Sequence, residues 1–228
     1  MLWKKIVDFG FQLLYNQFAW SYDIVSWSVS LGEWRKWQLA SLEFLHGPHV
    51  LEIAHGPGHM LAEMHQRGYT VTALDLSAAM GRLAQARLVR LGLDGEIQLL
   101  RCQIPDFPFP ADHFDSVLSQ FPTNFIFQPE TLMALNKILK PGGRLVILPE
   151  GHLTGNGPLR RFIHWLFYIT GQTVGNGQAD PTQSQLEIFW GDVENMMEAC
   201  GFSVDLEEVL LKRSVATVLV AEKRIGDS

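Results

Sequence analysis

The chain has 228 residues, 47% of them hydrophobic and 18% charged, with 24 acids against 18 bases and a formal charge of -6. That length suits one domain with a sizeable core, the apolar content excludes disorder as the dominant state, and the acidic balance argues against a general nucleic-acid binder. Two cysteines, Cys102 and Cys200, are too few for a zinc cluster or a disulfide framework and indicate a reducing, cytoplasmic setting.

In chain order, residues 1–48 are aromatic and amphipathic. Trp3, Ile6, Val7, Leu13, Leu14 and Phe18 follow helical spacing, while Lys5, Asp8, Gln12 and Asn16 fall on the other face. The stretch from Phe9 to Tyr22 is interrupted by Gln12, Asn16 and Gln17, so it does not read as a membrane span. Asp8 follows Lys4 and Lys5 too closely for a signal peptide. The chain reads as unprocessed and soluble.

From residue 49 to 148 short apolar runs alternate with helical patterns. Strands are expected at 49–54, 70–74, 96–100, 116–119 and 144–148. Helices are expected from His59, from a Ser77 cap through Arg90, and from Pro129 through Leu139. Such alternation predicts a parallel sheet covered on both faces. Residues 149–189 break the rhythm with glycines and the apolar run Leu159–Ile169. A last helix is expected at 190–200, then strands at 203–208 and 214–222 joined as a hairpin. The whole, 1–228, reads as one domain.

The chemistry concentrates where strand one meets a glycine turn, Glu52-Ile53-Ala54-His55-Gly56-Pro57-Gly58. Gly56 and Gly58 permit positive φ and close backbone approach, and the helix beyond favours an anionic group. Asp75 closes strand two about 20 residues further on, where an acid can accept from two ribose hydroxyls. Together they indicate a nucleoside-bearing cofactor. Taken singly, Glu52 also fits a strand-end acid and Asp75 a helix N-cap.

These residues resemble the class I S-adenosylmethionine-dependent methyltransferases, most of all the group that includes quinone-biosynthesis C-methyltransferases. Glu52-x-Ala54-x-Gly56-x-Gly58 is similar to the first motif, with Ala at its first Gly. Asp75-Leu76-Ser77-x-x-Met80 is similar to the second. Phe107-Pro108-Phe109-Pro110 before Phe114-Asp115, and Leu139-Lys140-Pro141-Gly142-Gly143, resemble the approaches to strands four and five.

The resemblance implies a Rossmann-like α/β fold: an open, mostly parallel seven-stranded sheet with helices on both faces, an antiparallel C-terminal hairpin and a cap insertion after strand five. The N-terminal amphipathic helix and Tyr22 are expected to cover the cofactor as a helical N-terminal lid, with a helix packed on the sheet's outer face as the alternative. The resemblance also implies S-adenosylmethionine held by Tyr22, Glu52, Ala54, His55, Gly56, Gly58, Asp75, Leu76, Met80, Gln103, Ile104, Ser119 and Gln120. Gln103 stands where the family often has an acid, and its amide oxygen could accept the same adenine hydrogen bond. Phe121, Thr123 and Asn124 then fall on the acceptor side, with Phe162 and Trp165 of the cap.

Transfer from a sulfonium needs positioning and desolvation rather than a metal or nucleophile, and no metal is expected from the histidine spacing. His152 is the candidate base, with a surface histidine as the alternative. The acceptor is expected to be a small, greasy or aromatic molecule. A dimer interface or peripheral membrane contact would also account for the apolar run. A nicotinamide-dependent oxidoreductase shares the glycine turn and acid, and a catalytically silent binding module shares the fold.

Overall fold

A computed structural model describes residues 32–107, 109–154 and 183–225. Tyr22, the N-terminal amphipathic segment, Phe162 and Trp165 lie outside the described residues, as do the lid and cap drawn from them. The elements are α1 (Trp34–Ser41), β1 (His49–Ile53), α2 (His59–Gln66), β2 (Thr70–Leu74), α3 (Ala78–Arg90), β3 (Gln98–Leu100) and β4 (Phe114–Gln120). Then come α4 (Pro129–Ile138), β5 (Leu139–Leu153), α5 (Gln183–Ala199), β6 (Phe202–Leu210) and β7 (Ser214–Lys223).

The strands form one seven-stranded sheet in the order β3-β2-β1-β4-β5-β7-β6. All pairings from β3 to β5 are parallel, and β7 runs antiparallel between β5 and β6. The expected seven-stranded, mostly parallel sheet with its antiparallel C-terminal hairpin is therefore present. Neighbouring strand residues point to opposite faces, and both faces are apolar. Val50, Val146 and Val218 join Trp37, Met60, Leu61 and Leu88 on one side. Leu51, Ile147 and Leu219 join Leu132, Leu135, Val193 and Met197 on the other.

From β1 the chain steps outward to β2 and β3 on one side, then returns to β4 and β5 on the other. The connections after β1 and β4 thus leave in opposite directions and open a crevice at the carboxyl ends of those strands, the usual ligand site of open α/β sheets.

Several boundaries differ from the sequence expectation. β3 begins at Gln98 rather than residue 96. Strand five, expected at 144–148, runs from Leu139 to Leu153, with an irregular register on β4 between Phe114 and Ser116. Pro141-Gly142-Gly143 thus falls within the strand's span at that irregularity, and His152, expected beyond the strand, pairs with Val215. The last helix begins at Gln183, seven residues before the expected start, inside the stretch read as a cap.

The extension of β5 carries α1. Trp37 is buried, and a Cβ built on Gly151 would run into its indole. Gln120 closes the other side: its Nε2 donates to the Gln38 carbonyl (3.0 Å) and to Ser41 Oγ (2.8 Å), and its Oε1 accepts from Gln38 Nε2 (3.0 Å). Glu33, just before the helix, accepts from Ser214 Oγ (2.9 Å) and Lys36 Nζ (2.6 Å). The Lys36 hydrogen bond holds the Glu33 carboxyl below its ordinary range, against the upward push of burial. Among the described residues, no helix is long and apolar enough to cross a membrane.

Because Gly151 leaves no room for a methyl group, Gly151→Ala should destabilise the fold by about 1–3 kcal/mol, as overpacking does. Urea denaturation followed by far-UV circular dichroism checks this; an unchanged midpoint would show that α1 adapts freely.

Candidate functional site

The crevice is built from three strand ends. β1 leads into the glycine turn, whose backbone is anchored on β2: Ala54 N donates to the Leu74 carbonyl at 2.7 Å. Ala54 then takes φ +56, Gly56 +55 and Gly58 +74. Left-handed backbone costs an alanine about 1 kcal/mol. The substitution of Ala for the first motif glycine is therefore tolerated with strain, and the alanine is exposed toward the crevice.

The two glycines answer to different constraints. A Cβ on Gly58 would come within 2.8 Å of Ala84 Cβ, so this glycine lets α2 start against α3. A Cβ on Gly56 would meet nothing within 4 Å. The space beside Gly56 is open.

Asp75 closes β2 and holds the turn. Its Oδ2 accepts from Gly56 N at 2.9 Å and its Oδ1 from Ser77 N at 2.8 Å. Each oxygen retains acceptor capacity for a hydroxyl. Ser77 caps α3, accepting from Met80 N at 3.3 Å, which makes it the N-cap the sequence suggested. Met80 is buried beside Ala79 and Leu83, while Leu76 is 59% exposed and lines neither of the two spaces that adjoin at His55.

Two spaces adjoin at His55. A groove of about 330 Å³ is lined by His55, Asp75, Ser77, Gly81, Arg82, Leu99 and Arg101. That volume falls at the lower end of small-molecule sites. A narrow cleft of about 20 Å³ is lined by Glu52, Ala54, His55, Gly56, Gln120 and Phe121, among others. It has room for one water or one ammonium group.

Glu52 is buried, and its Oε2 makes no hydrogen bond. Burial, with the Asp75 carboxylate adding to it, pushes its carboxyl up to about 8. Burial pushes the His55 imidazole down, opposed by the Asp75 charge, and its Nδ1 lies 2.8 Å from the Gly56 carbonyl. A buried acid with an orphaned oxygen beside an open, ammonium-sized cleft could receive a cation.

The other residues singled out in the sequence divide. Ser119 is buried in register with Ile53 and donates its hydroxyl to the Ile53 carbonyl at 3.5 Å. Gln120 reaches the cleft, but its amide is engaged with α1. Gln103 is exposed and Ile104 half-buried on the segment after β3; neither lines the two spaces. Thr123 and Asn124 are exposed just beyond β4.

Phe121 takes φ +49 and stacks on Trp34, with ring centroids 3.8 Å apart and planes 25° apart. Sequence reasoning missed Trp34 and Gln38, which lie more than eighty residues before their partners. His152 lines neither space. Its neighbour Glu150, two residues earlier on the same face of β5, was also missed. Burial raises the Glu150 carboxyl, with the His152 charge opposing and Glu208 adding. Among the described residues, no group of three His, Cys, Asp or Glu side chains could hold a metal ion.

This fold and crevice define a nucleoside-cofactor-binding α/β domain. The model of a family described as a methyltransferase domain matches residues 50–143. A ubiquinone/menaquinone biosynthesis C-methyltransferase, UbiE, of Psychromonas ingrahamii is 30% identical over 178 residues, 75% of this chain and 70% of that protein. A demethylmenaquinone methyltransferase of Symbiobacterium thermophilum is 30% identical over 168 residues, 70% of this chain and 64% of that protein. A crystal structure from Methanococcus maripaludis, assigned as an S-adenosyl-L-methionine-dependent methyltransferase, matches with a TM-score of 0.61 and 19% identity. It covers 92% of this chain and 93% of that one.

The chain belongs to the class I S-adenosylmethionine-dependent methyltransferase family. It spans less than two thirds of the length of the first curated relatives matched, 64% and 56%. The described residues fit the family's cofactor. Asp75 has acceptor capacity for ribose hydroxyls, the groove takes a nucleoside, Gly56 leaves its flank open, and the orphaned Glu52 oxygen suits the amino-acid ammonium. When bound, the cofactor supplies an activated methyl group on a sulfonium.

Glu52 sets a pH dependence in the free protein. Its folded value, about 8, stands above the ordinary 4.5. Its contribution to stability is therefore fully present below pH 4.5 and is lost as pH rises through about 8. Glu52→Gln should flatten that decline and make the free protein more stable than wild type at pH 8.5. Urea denaturation at pH 6 and 8.5 measures the difference; parallel behaviour of the two proteins would disprove the assignment.

Proposed function

We propose that the protein transfers the methyl group of S-adenosylmethionine to a small apolar or aromatic acceptor by in-line displacement. The observation that carries this is the orphaned Glu52 oxygen in the cleft that adjoins, at His55, the groove bearing Asp75. One site thus offers a cation receptor and a ribose receptor in adjoining spaces.

Asp75 orients the ribose and fixes the turn. Glu52, as the carboxylate, takes the ammonium. Ala54 and the strained Phe121 bound the cleft that would receive the ammonium. The bound cofactor would supply its sulfonium methyl to an electron pair on the acceptor, sulfur keeping the pair of the broken carbon–sulfur bond. The leaving group is already activated, so orientation and exclusion of water are the protein's contributions.

An apolar acceptor is supported by what stands at the end of β4. Trp34, Phe121, Phe125 and Phe127 are partly buried hydrophobics there. The relatives in quinone biosynthesis support an aromatic ring as methyl acceptor. Where the acceptor must lose a proton, His152 beside Glu150 is the base we put forward.

Two outcomes test this reading. Calorimetry should show binding of S-adenosylmethionine and not NADH, with Asp75→Ala weakening it by about 1–3 kcal/mol. Binding at pH 7 should release protons, because Glu52 must ionise to receive the ammonium; titrations in two buffers of different ionisation enthalpy count them. Absence of binding sinks the proposal, and binding without proton release removes Glu52 from the ammonium. For the acceptor, labelled methyl transfer to phenolic and quinol-type compounds should exceed transfer to sugars and amino acids; the reverse order would overturn the apolar assignment.

A further inference from the structure

Phe121 is held in an unusual way. It follows β4 directly, takes a left-handed backbone that L residues with bulky side chains seldom adopt, and donates its N–H to the Leu148 carbonyl at 2.7 Å. Trp34 stacks on it at 3.8 Å, and Trp37 packs tilted at 6.3 Å. Trp34 is itself fixed, because α1 is tied to Gln120 through Gln38 and Ser41 and to β7 through Glu33. Several separate interactions thus hold one aromatic ring at the cleft that also contains the orphaned Glu52 oxygen.

Packing alone gives no account of a strained phenylalanine here. Strain of this kind persists where surrounding structure over-determines it, and it concentrates at ligand sites. The cofactor of the proposed function carries two cations. Its sulfonium lies four bonds from its ammonium, roughly 5 Å when extended. With the ammonium on Glu52, the sulfonium would come within reach of other residues that line this cleft, Phe121 among them. The face of an aromatic ring attracts a cation and gives a neutral thioether no comparable stabilisation.

We propose that Phe121, fixed in place by Trp34, recognises the sulfonium charge and so makes the site prefer the charged methyl donor over its neutral demethylated product. Phe121 is then a specificity-determining residue for the cofactor pair, and Trp34 a positioning residue that acts through it. Charge recognition of this kind favours exchange of spent product for fresh donor after each transfer. The inference rests on the function proposed above.

The test compares the affinities of S-adenosylmethionine and S-adenosylhomocysteine by calorimetry. Phe121→Leu keeps an apolar side chain and the same left-handed backbone. It should weaken the donor by about five- to thirty-fold, the range of a desolvated cation–π contact, and leave the product unchanged. Phe121→Tyr should restore the donor preference. Trp34→Leu should shift the donor-to-product ratio in the same direction by a smaller factor. Replacing Phe121 with fluorinated phenylalanines preserves shape and drains the ring face; donor affinity should fall stepwise with each fluorine while product affinity stays level. Equal losses for both ligands, or no loss for either, would overturn the proposal. If wild-type protein binds neither ligand, it is the cofactor assignment that fails, and the two failures are thereby told apart.

Discussion

The site depends on one carboxylate. Asp75 accepts from Gly56 N with one oxygen and from Ser77 N with the other, and so joins the turn after β1 to the start of α3. The two elements lie on adjacent strands but have no covalent link shorter than the whole α2 crossover. Without this bridge the turn's left-handed residues would rest only on the Leu74 carbonyl. The same acid that is expected to read the ribose therefore also shapes the groove that receives it. Loss of Asp75 changes binding and local geometry together.

Around that bridge the electrostatics are set by opposition. Asp75 and Glu52 are both acids, and the second is buried with no partner for one oxygen. Asp75 and burial act in the same sense on Glu52 and favour its neutral form. A bound cation reverses this balance, because opposite charge at short range favours the ionised acid. On the proposed function, the free protein carries an unfavourable group that a bound ammonium would match. Ala54 and Phe121, both in left-handed backbone at the rim, show the same arrangement in conformational rather than electrostatic form.

Much of this was legible in the sequence. β1, β2 and β4 are short apolar runs bounded by turn residues, so their positions and parallel pairing followed from pattern alone. The glycine turn, Asp75 and the Ser77 cap were legible because backbone geometry dictates residue type at those points. The extent of β5 was not, because Pro141-Gly142-Gly143 has turn composition and Gly151 lies in a segment with no strand signal. That segment is strand because β7 pairs with it and Trp37 packs on it. The α1 anchor was illegible for a related reason. Gln38 meets Gln120 and Glu33 meets Ser214 across most of the chain, and no local window contains both partners. The state of Glu52 depends on burial, which spacing does not report.

Among the described residues the sheet ends in β6, which has only β7 beside it and is exposed at most of its nine residues. Asp205, Glu207 and Glu208 lie along it. An open strand edge is a template for a second chain, and two copies meeting edge to edge would set these acids against one another. At the opposite margin β3 offers only Gln98–Leu100. One border of the sheet is thus guarded by like charge and the other by brevity. Both margins thus discourage a further strand, and the charge carried by β6 is the feature whose removal would most expose this edge to self-association.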